Sequence, residues 1–360
     1  MKATRLLWLL LLAAPASLHA QELTLIPQPA YAKQDKGTYN LPQELAIQVP
    51  ARSEGITRIA NLLAAQLKQS TGRQSNISSN MSKPDISFAL LEQPLPKLGA
   101  EGYMLQVNDK GISLKANQEA GLFYGLQTLL QLLPPVVESG SMVPTKQLAV
   151  PYVTIVDQPR VAWRGILLDV ARHWFTKAQV KEFIDIMARY KYNLLHLHLS
   201  DDQGWRLEIK SLPELTKVGA WRAARQGRWG EWSKPTPDEP KTYGGFYTQE
   251  DIRELVAYAQ SKFISILPEI DVPGHSMAMV AAYPELSCTP GTYQVNAGDR
   301  FMIWEGNGKF YGTIDNTLCP ANEKVFEVLD KVFTEVAQLF PFEYIHMGGD
   351  ECYKGFWEKS

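Results

Sequence analysis

Tyr344-Ile345-His346-Met347-Gly348-Gly349-Asp350-Glu351 reads as a short apolar strand that runs into two glycines and then two adjacent carboxylates. In a regular strand successive side chains point to opposite faces, so Asp350 and Glu351 would diverge. Gly348 and Gly349 admit backbone angles closed to other residues, so the chain can turn there and bring both acids to one pocket. Two carboxylates in different surroundings are the minimum equipment for acid-assisted bond cleavage. Taken alone, the same residues read more readily as a solvated acidic turn.

The pattern recurs upstream. Ile166–Val170 is an apolar run followed by Ala171-Arg172-His173-Trp174; Leu194–Leu199 runs into Ser200-Asp201-Asp202; Ile264–Ile270 runs into Asp271-Val272-Pro273-Gly274-His275. Between them, Thr176–Tyr190, Glu250–Phe263 and Asn322–Leu339 carry helical periodicity. Thr176 and Gln179 have capping-box spacing. The order β-α-β-α-β-α-β, with polar side chains at the carboxyl end of every strand, predicts a parallel sheet with a site along that edge. No glycine-rich phosphate turn follows the first strand, which disfavours a dinucleotide fold. A site drawing on every strand suits a barrel. The expected fold class is therefore α/β, a (β/α)₈ TIM barrel over residues 151–360. About four βα units are present, truncated after the fourth strand, where a barrel needs eight.

Residues 21–150 read as a small α+β module: a short strand at Leu23–Ile26, an amphipathic helix over Gly55–Ser70, strands at Asp85–Leu90 and Tyr103–Val107, a hairpin through Asn108–Gly111 to Ile112–Lys115, and a helix at Ala120–Leu133. Pro134–Pro151, rich in Pro, Ser and Gly, reads as the linker. Of nine tryptophans and six histidines, only Trp8 and His19 precede residue 150, so the chemistry concentrates in the second part.

Lys+Arg 36 against Asp+Glu 38 argues against nucleic acid or an anionic membrane as the main partner. Residues 1–20 have a basic start at Lys2 and Arg5, an apolar stretch and a small-residue end, the pattern of a secretory signal peptide. Export to the periplasm or the extracellular space is expected, or to the lysosome if the source is eukaryotic. No later segment is apolar enough for a membrane span, and a homodimer stays open. Export permits disulfides. Cys288 and Cys319 flank one loop-rich segment and are the favoured pair; Cys352 is the odd one.

His196 and His198 form an H-x-H on one strand face, which zinc can use. A complete ligand set is not evident from spacing, so no metal and no cofactor are expected, and inward hydrogen bonding is the preferred role. Asp201 and His275 lie at the ends of neighbouring strands, where a carboxylate can set an imidazole's tautomer and basicity; a structural loop bond is the plain alternative. Ser200 and Ser276 sit in no G-x-S-x-G elbow, so a serine hydrolase is disfavoured. Arg164 precedes the first strand's apolar core, and its fork suits paired hydroxyls or a carboxylate, with a surface salt bridge as the alternative. Trp163, Trp174, Trp205, Trp221, Trp229, Trp232 and Trp304 make this part aromatic; indole stacks on sugar rings, but core packing is preferred for each singly.

Trp163-Arg164-Gly165-Ile166-Leu167-Leu168-Asp169-Val170-Ala171-Arg172-His173, then Tyr192–Arg206, Pro268–His275 and His346–Glu351, together resemble the glycoside hydrolase family 20 β-N-acetylhexosaminidases. The motifs stand in family order, and the first module is similar to that family's N-terminal domain. The resemblance implies a (β/α)₈ barrel that removes terminal β-linked N-acetylglucosamine or N-acetylgalactosamine from a carbohydrate substrate. In that family the substrate's own 2-acetamido oxygen is the nucleophile and an oxazolinium intermediate forms. It implies Glu351 as general acid and base, Asp350 as the residue orienting the acetamido group, Asp201 and His275 as a supporting pair, Arg164 as the arginine gripping sugar hydroxyls, and Cys288–Cys319 as a loop disulfide. The family's later strands supply a tyrosine and tryptophans that wall the pocket, and this sequence ends before them. The 360 residues alone are therefore expected to be inactive or poorly folded, and a non-catalytic or vestigial sugar-binding fragment is the competing reading.

Overall fold

The computed structural model describes residues 23–226, 233–298, 302–304, 307–308, 310–312 and 316–359. Trp229, Trp232, the side chain of Trp304 and the candidate signal peptide lie outside the described residues.

The first module is built on a seven-stranded sheet. Its strands are β1 (Tyr31–Asn40), β2 (Glu44–Gln48), β3 (Gln74–Ser78), β4 (Ile86–Leu90), β5 (Tyr103–Asn108), β6 (Gly111–Ala116) and β7 (Ala149–Asp157), in the order β1-β7-β5-β6-β4-β2-β3. Two helices, α1 (Glu54–Thr71) and α2 (Glu119–Leu132), pack against it. Strands β5 and β6 alternate cleanly: Tyr103, Leu105, Val107, Ile112 and Leu114 are buried, while Gln106 and Lys115 face out. Helix α1 buries Ile56, Ile59, Leu63 and Leu67, the stripe its periodicity predicts, although Leu62 is left at the surface.

Two expectations fail here, and one strand goes unpredicted. Leu23–Ile26 forms no strand. Strand β1 is unannounced because Tyr31–Asn40 is exposed at every position but Tyr39 and carries no apolar alternation. The linker ends early: Ala149–Asp157 is not connecting chain but β7, paired on one side with β1 and on the other with β5. Val150, Val153 and Ile155 are buried in that sheet, so the first module runs to Asp157 and not to residue 150. The prolines around it concealed the strand.

The second module carries a parallel sheet of Gly165–Asp169, Leu194–His198 and Ser265–Glu269, registered Gly165 to Leu194 to Ser265 and Asp169 to His198 to Glu269. Tyr344–Met347 joins alongside through one bridge, Glu269 to His346, with His346 N–H donating to Pro268 O at 2.9 Å and Ile270 N–H to His346 O at 3.1 Å. Helices Lys177–Arg189, Gln249–Gln260 and Glu323–Leu339 make the crossovers. Thr176 and Gln179 form the predicted capping box, and Thr248 with Asp251 forms a second. The strands neighbour one another in chain order, without the reversal of a doubly wound sheet, which is how a βα barrel is laid down. Residues sharing register share a face, so Asp169, His198, Glu269 and His346 all point inward.

The modules meet at the barrel's amino-terminal end. Glu101 accepts from Arg164 at 2.7 Å and from Asn193 at 3.0 Å, gripping the starts of two barrel strands. Buried Lys191 reaches Asp157 at 3.0 Å and the Tyr103 hydroxyl at 2.8 Å. No helix among the described residues is long and apolar enough to cross a membrane.

Candidate active site

The carboxyl ends of the four barrel segments converge. Asp201 sits just past the second strand and is 1% exposed. Its Oδ2 meets His198 Nε2 at 2.8 Å and Arg172 Nη2 at 2.8 Å, and its Oδ1 lies 3.4 Å from His275 Nδ1. His275 follows the third strand at φ 48°, a left-handed angle that non-glycine residues adopt under constraint. Its Nε2 lies 3.3 Å from Glu351 Oε2 and 3.7 Å from Asp350 Oδ2. One imidazole thus spans from a buried aspartate to both carboxylates of the opening motif, whose side chains are 62% and 76% exposed. The double glycine does what the sequence required: Gly348 has φ 62° and Gly349 φ 90°, and Glu351 follows at φ 47°. The turn swings the adjacent acids to the same side.

The charges around this axis are arranged in alternation. The carboxylate of Asp201, then that of Asp202, pushes the His275 imidazole up to about 11. Burial alone would strip His198 of its proton, yet Asp201 and Glu269 outweigh it and push His198 up to about 10. Asp201 is buried, but His198, His275 and Arg172 together hold it well below the usual carboxylate range. Asp271 goes the other way: burial, reinforced by the charge of Asp350, pushes it up to about 7.

His196 Nε2 lies 2.7 Å from Glu269 Oε2 and His346 Nδ1 lies 3.0 Å from Glu269 Oε1, so Glu269 is the hub of three histidines. The His196 contact is a close polar approach and not an aligned hydrogen bond. His196, Glu269 and His346 offer ligand atoms within 4.8 Å of one another. Pairing of imidazole with carboxylate requires the same proximity; the inward hydrogen bonding expected of the H-x-H is made by His198 with Asp201, whereas His196 Nε2 makes none.

Arg164 is not part of this site. It precedes the first strand, at the end remote from Asp201, and its guanidinium is used by Glu101 and by the carbonyls of Val161 and Lys191. Arg172, just past the same strand, is the arginine on the rim, held by Asp169 at 3.0 Å and by Asp201. A strand of five residues spans about 16 Å, and the two arginines lie at its opposite ends. The signal for Arg172 was available: it stands among the polar residues that end the first strand. Asp271 and Glu269 were likewise unassigned, although each sits at the end of the third strand.

Cys288 and Cys319 form the expected disulfide, closing the loop after the third strand. Cys352, behind Glu351, is half-buried, and burial pushes its thiol up, away from a nucleophile's range. Trp205 is core, with Nε1 donating to Leu207 O. Trp163 is 57% exposed and packs on Phe342 and Tyr344 beneath the barrel, against the core packing preferred for it.

Paired carboxylates on the carboxyl-end rim of a parallel βα barrel are an arrangement that acid-assisted glycoside cleavage can use. The chain belongs to glycosyl hydrolase family 20: residues 161–360 match the family's catalytic domain and residues 22–158 its domain 2. A β-hexosaminidase of Porphyromonas gingivalis is 39% identical over 338 residues, covering 93% of this chain and 40% of that protein. A β-hexosaminidase of Vibrio furnissii is 36% identical over 346 residues, covering 95% of this chain and 51% of that protein. The solved GH20 β-N-acetylhexosaminidase of Streptomyces coelicolor A3(2) superposes with a TM-score of 0.77 at 38% identity, over 91% of this chain and 60% of that one. The chain thus spans about half the length of the curated relatives it matches, and the fold is the family's TIM barrel with its N-terminal domain.

Proposed function

We propose that this chain carries the acid pair of an exo-acting β-N-acetylhexosaminidase, which removes terminal non-reducing β-linked N-acetylglucosamine or N-acetylgalactosamine with retention. The observation that supports it best is the convergence of Glu351 and Asp350 on His275, at 3.3 and 3.7 Å, with Asp201 behind. Relatives named β-hexosaminidases at 36–39% identity support the substrate class. In the reading, the substrate's acetamido oxygen attacks the anomeric carbon while Glu351 gives its proton to the leaving oxygen. Asp350 hydrogen-bonds the acetamido nitrogen and balances the oxazolinium charge. Glu351 then takes a proton from water as it opens the oxazolinium ring. Arg172, in place of Arg164, presents its guanidinium to sugar hydroxyls. His275 and Asp201 hold the charge pattern behind the acid.

The leader pattern in residues 1–20 supports export. The test is hydrolysis of 4-nitrophenyl β-N-acetylglucosaminide and β-N-acetylgalactosaminide beside the plain β-glucoside. Any turnover is expected on the acetamido sugars alone, with the β-anomer released first. Equal turnover of the glucoside defeats substrate assistance. Binding of N-acetylglucosamine without turnover favours the sugar-binding reading.

A further inference from the structure

We infer that Asp271 is a positioning residue: its carboxyl oxygen holds the Gly348–Gly349 turn and, through it, the acid pair. Its kinetic consequence rests on the hexosaminidase reading above; its geometric content does not.

Asp271 stands two residues past Glu269, on the same inward face, and is 3% exposed. Its backbone is tied on several sides. Its N–H donates to Ser200 Oγ at 3.0 Å, and its carbonyl accepts from Ser276 Oγ at 3.4 Å. The flanking Ile270 and Val272 amides donate to His346 O and Met347 O at 3.1 and 3.2 Å. The direction of the carboxyl is therefore set by the sheet, and Oδ1 accepts the Gly349 N–H at 3.3 Å. A Cβ at position 348 would stand 1.7 Å from that same oxygen, whereas one at 349 would meet nothing within 4 Å. The two glycines thus answer different demands. Gly349 supplies a left-handed angle; Gly348 supplies the angle and also the room the Asp271 carboxyl occupies. Two residues on, Glu351 sits at φ 47°, a left-handed conformation that a non-glycine residue keeps only where the surroundings over-determine it. The Asp271 contact is one of the restraints that do so.

Ligand atoms of Asp271, His275 and Asp350 lie within 4.8 Å of one another, as do those of Asp271, His198 and Asp201. Asp271 therefore joins the buried histidine cluster to the exposed acids. It is buried under the turn while Asp350 and Glu351 face the opening, so it acts through them and not on substrate.

The experiment compares the full chain with Asp271→Asn, Asp271→Ala and Gly348→Ala. Amide exchange over residues 345–352 is measured beside kcat and KM on 4-nitrophenyl N-acetylglucosaminide and on chitobiose. Asparagine keeps an oxygen for the Gly349 N–H; alanine does not; the methyl added by Gly348→Ala is forced against the carboxyl. Asp271→Ala and Gly348→Ala lose exchange protection at Gly349, and kcat falls by about 100-fold, the penalty for misplacing a reacting group by an ångström. KM stays within about threefold, and the loss is larger on chitobiose, whose leaving group needs the proton more. Asp271→Asn keeps the protection and stays within about tenfold of the parent in kcat. Unchanged protection in Asp271→Ala, or Asp271→Asn as damaged as Asp271→Ala, overturns the inference. If Asp271→Ala does not fold, Gly348→Ala decides by the same readouts. A parent chain that neither turns over these substrates nor binds N-acetylglucosamine defeats the hexosaminidase reading, and the exchange data still decide this one.

Discussion

Arg164 and Arg172 offer the sharpest separation of scaffold from site. Arg164 donates to Glu101 at 2.7 Å and to the Lys191 carbonyl at 2.9 Å, and it lies 5.4 Å over the Tyr124 ring. Its side chain is 16% exposed and that of Glu101 22%. Removing one partner of a buried pair costs about 3–5 kcal/mol, and partial exposure brings the expectation for Arg164→Ala to about 2–4 kcal/mol. In a two-module chain of this size, that lowers Tm by about 5–10 °C. Because Glu101 is one of the contacts between the modules, beside Lys191 with Asp157 and Tyr103, the calorimetric transition should also broaden or split, while KM for a chromogenic N-acetylglucosaminide stays unchanged. Arg172→Ala should do the reverse. Each hydrogen bond from a charged group contributes about 1.5–3 kcal/mol, so kcat/KM falls by about 10- to 100-fold. Its partners Asp169 and Asp201 stay solvated or paired, so Tm moves little. Arg164→Ala with a raised KM and an unchanged Tm would refute the assignment of the first arginine to the module joint.

Glu351→Gln should lower kcat by about 10² to 10⁴, more on substrates with poor leaving groups, while Asp350→Asn should lose turnover even on activated ones; comparing the two substrate types separates proton donation from acetamide orientation. Stability should decline toward alkaline pH. His275 and His198 are raised in the folded state, to about 11 and about 10 from an ordinary 6.5, so their contribution is complete below about 6.5 and is lost as pH rises through the folded values. Urea midpoints at pH 6 and pH 10 should show that fall, and His275→Gln should flatten it. Asp201 and Glu269 are depressed, so their contribution is present above the ordinary carboxylate range and is lost as pH falls below that range through their depressed folded values. Reducing Cys288–Cys319, which are separated by 31 residues, removes about 3–4 kcal/mol by chain entropy. Thermal scans with and without reductant should show it, and a Cys288→Ser, Cys319→Ser pair should match the reduced parent.

What the sequence carried by itself was periodic or local. Alternation in Tyr103–Val107, the 3.6-residue stripe of the helix Glu54–Thr71, the capping box at Thr176 and the repeated strand-then-polar pattern are all written in near-neighbour residues, because side-chain period follows backbone geometry directly. That repetition by itself puts Asp201, His275, Asp350 and Glu351 on one edge. Tertiary structure decided the rest. Strand Tyr31–Asn40 has no apolar period to read and exists because Ala149–Asp157 lies beside it, and that strand in turn moved the module boundary past its prolines. Arg164 and Arg172 stand in one motif, yet a strand has two ends; the carboxyl-edge pattern favours Arg172, and the tertiary contact with Glu101 fixes Arg164 at the module joint instead. Asp271 looked like one more polar strand end. Its place beneath Gly348 arises because the third and fourth segments hydrogen-bond in register, a contact between residues far apart along the chain that no local pattern encodes.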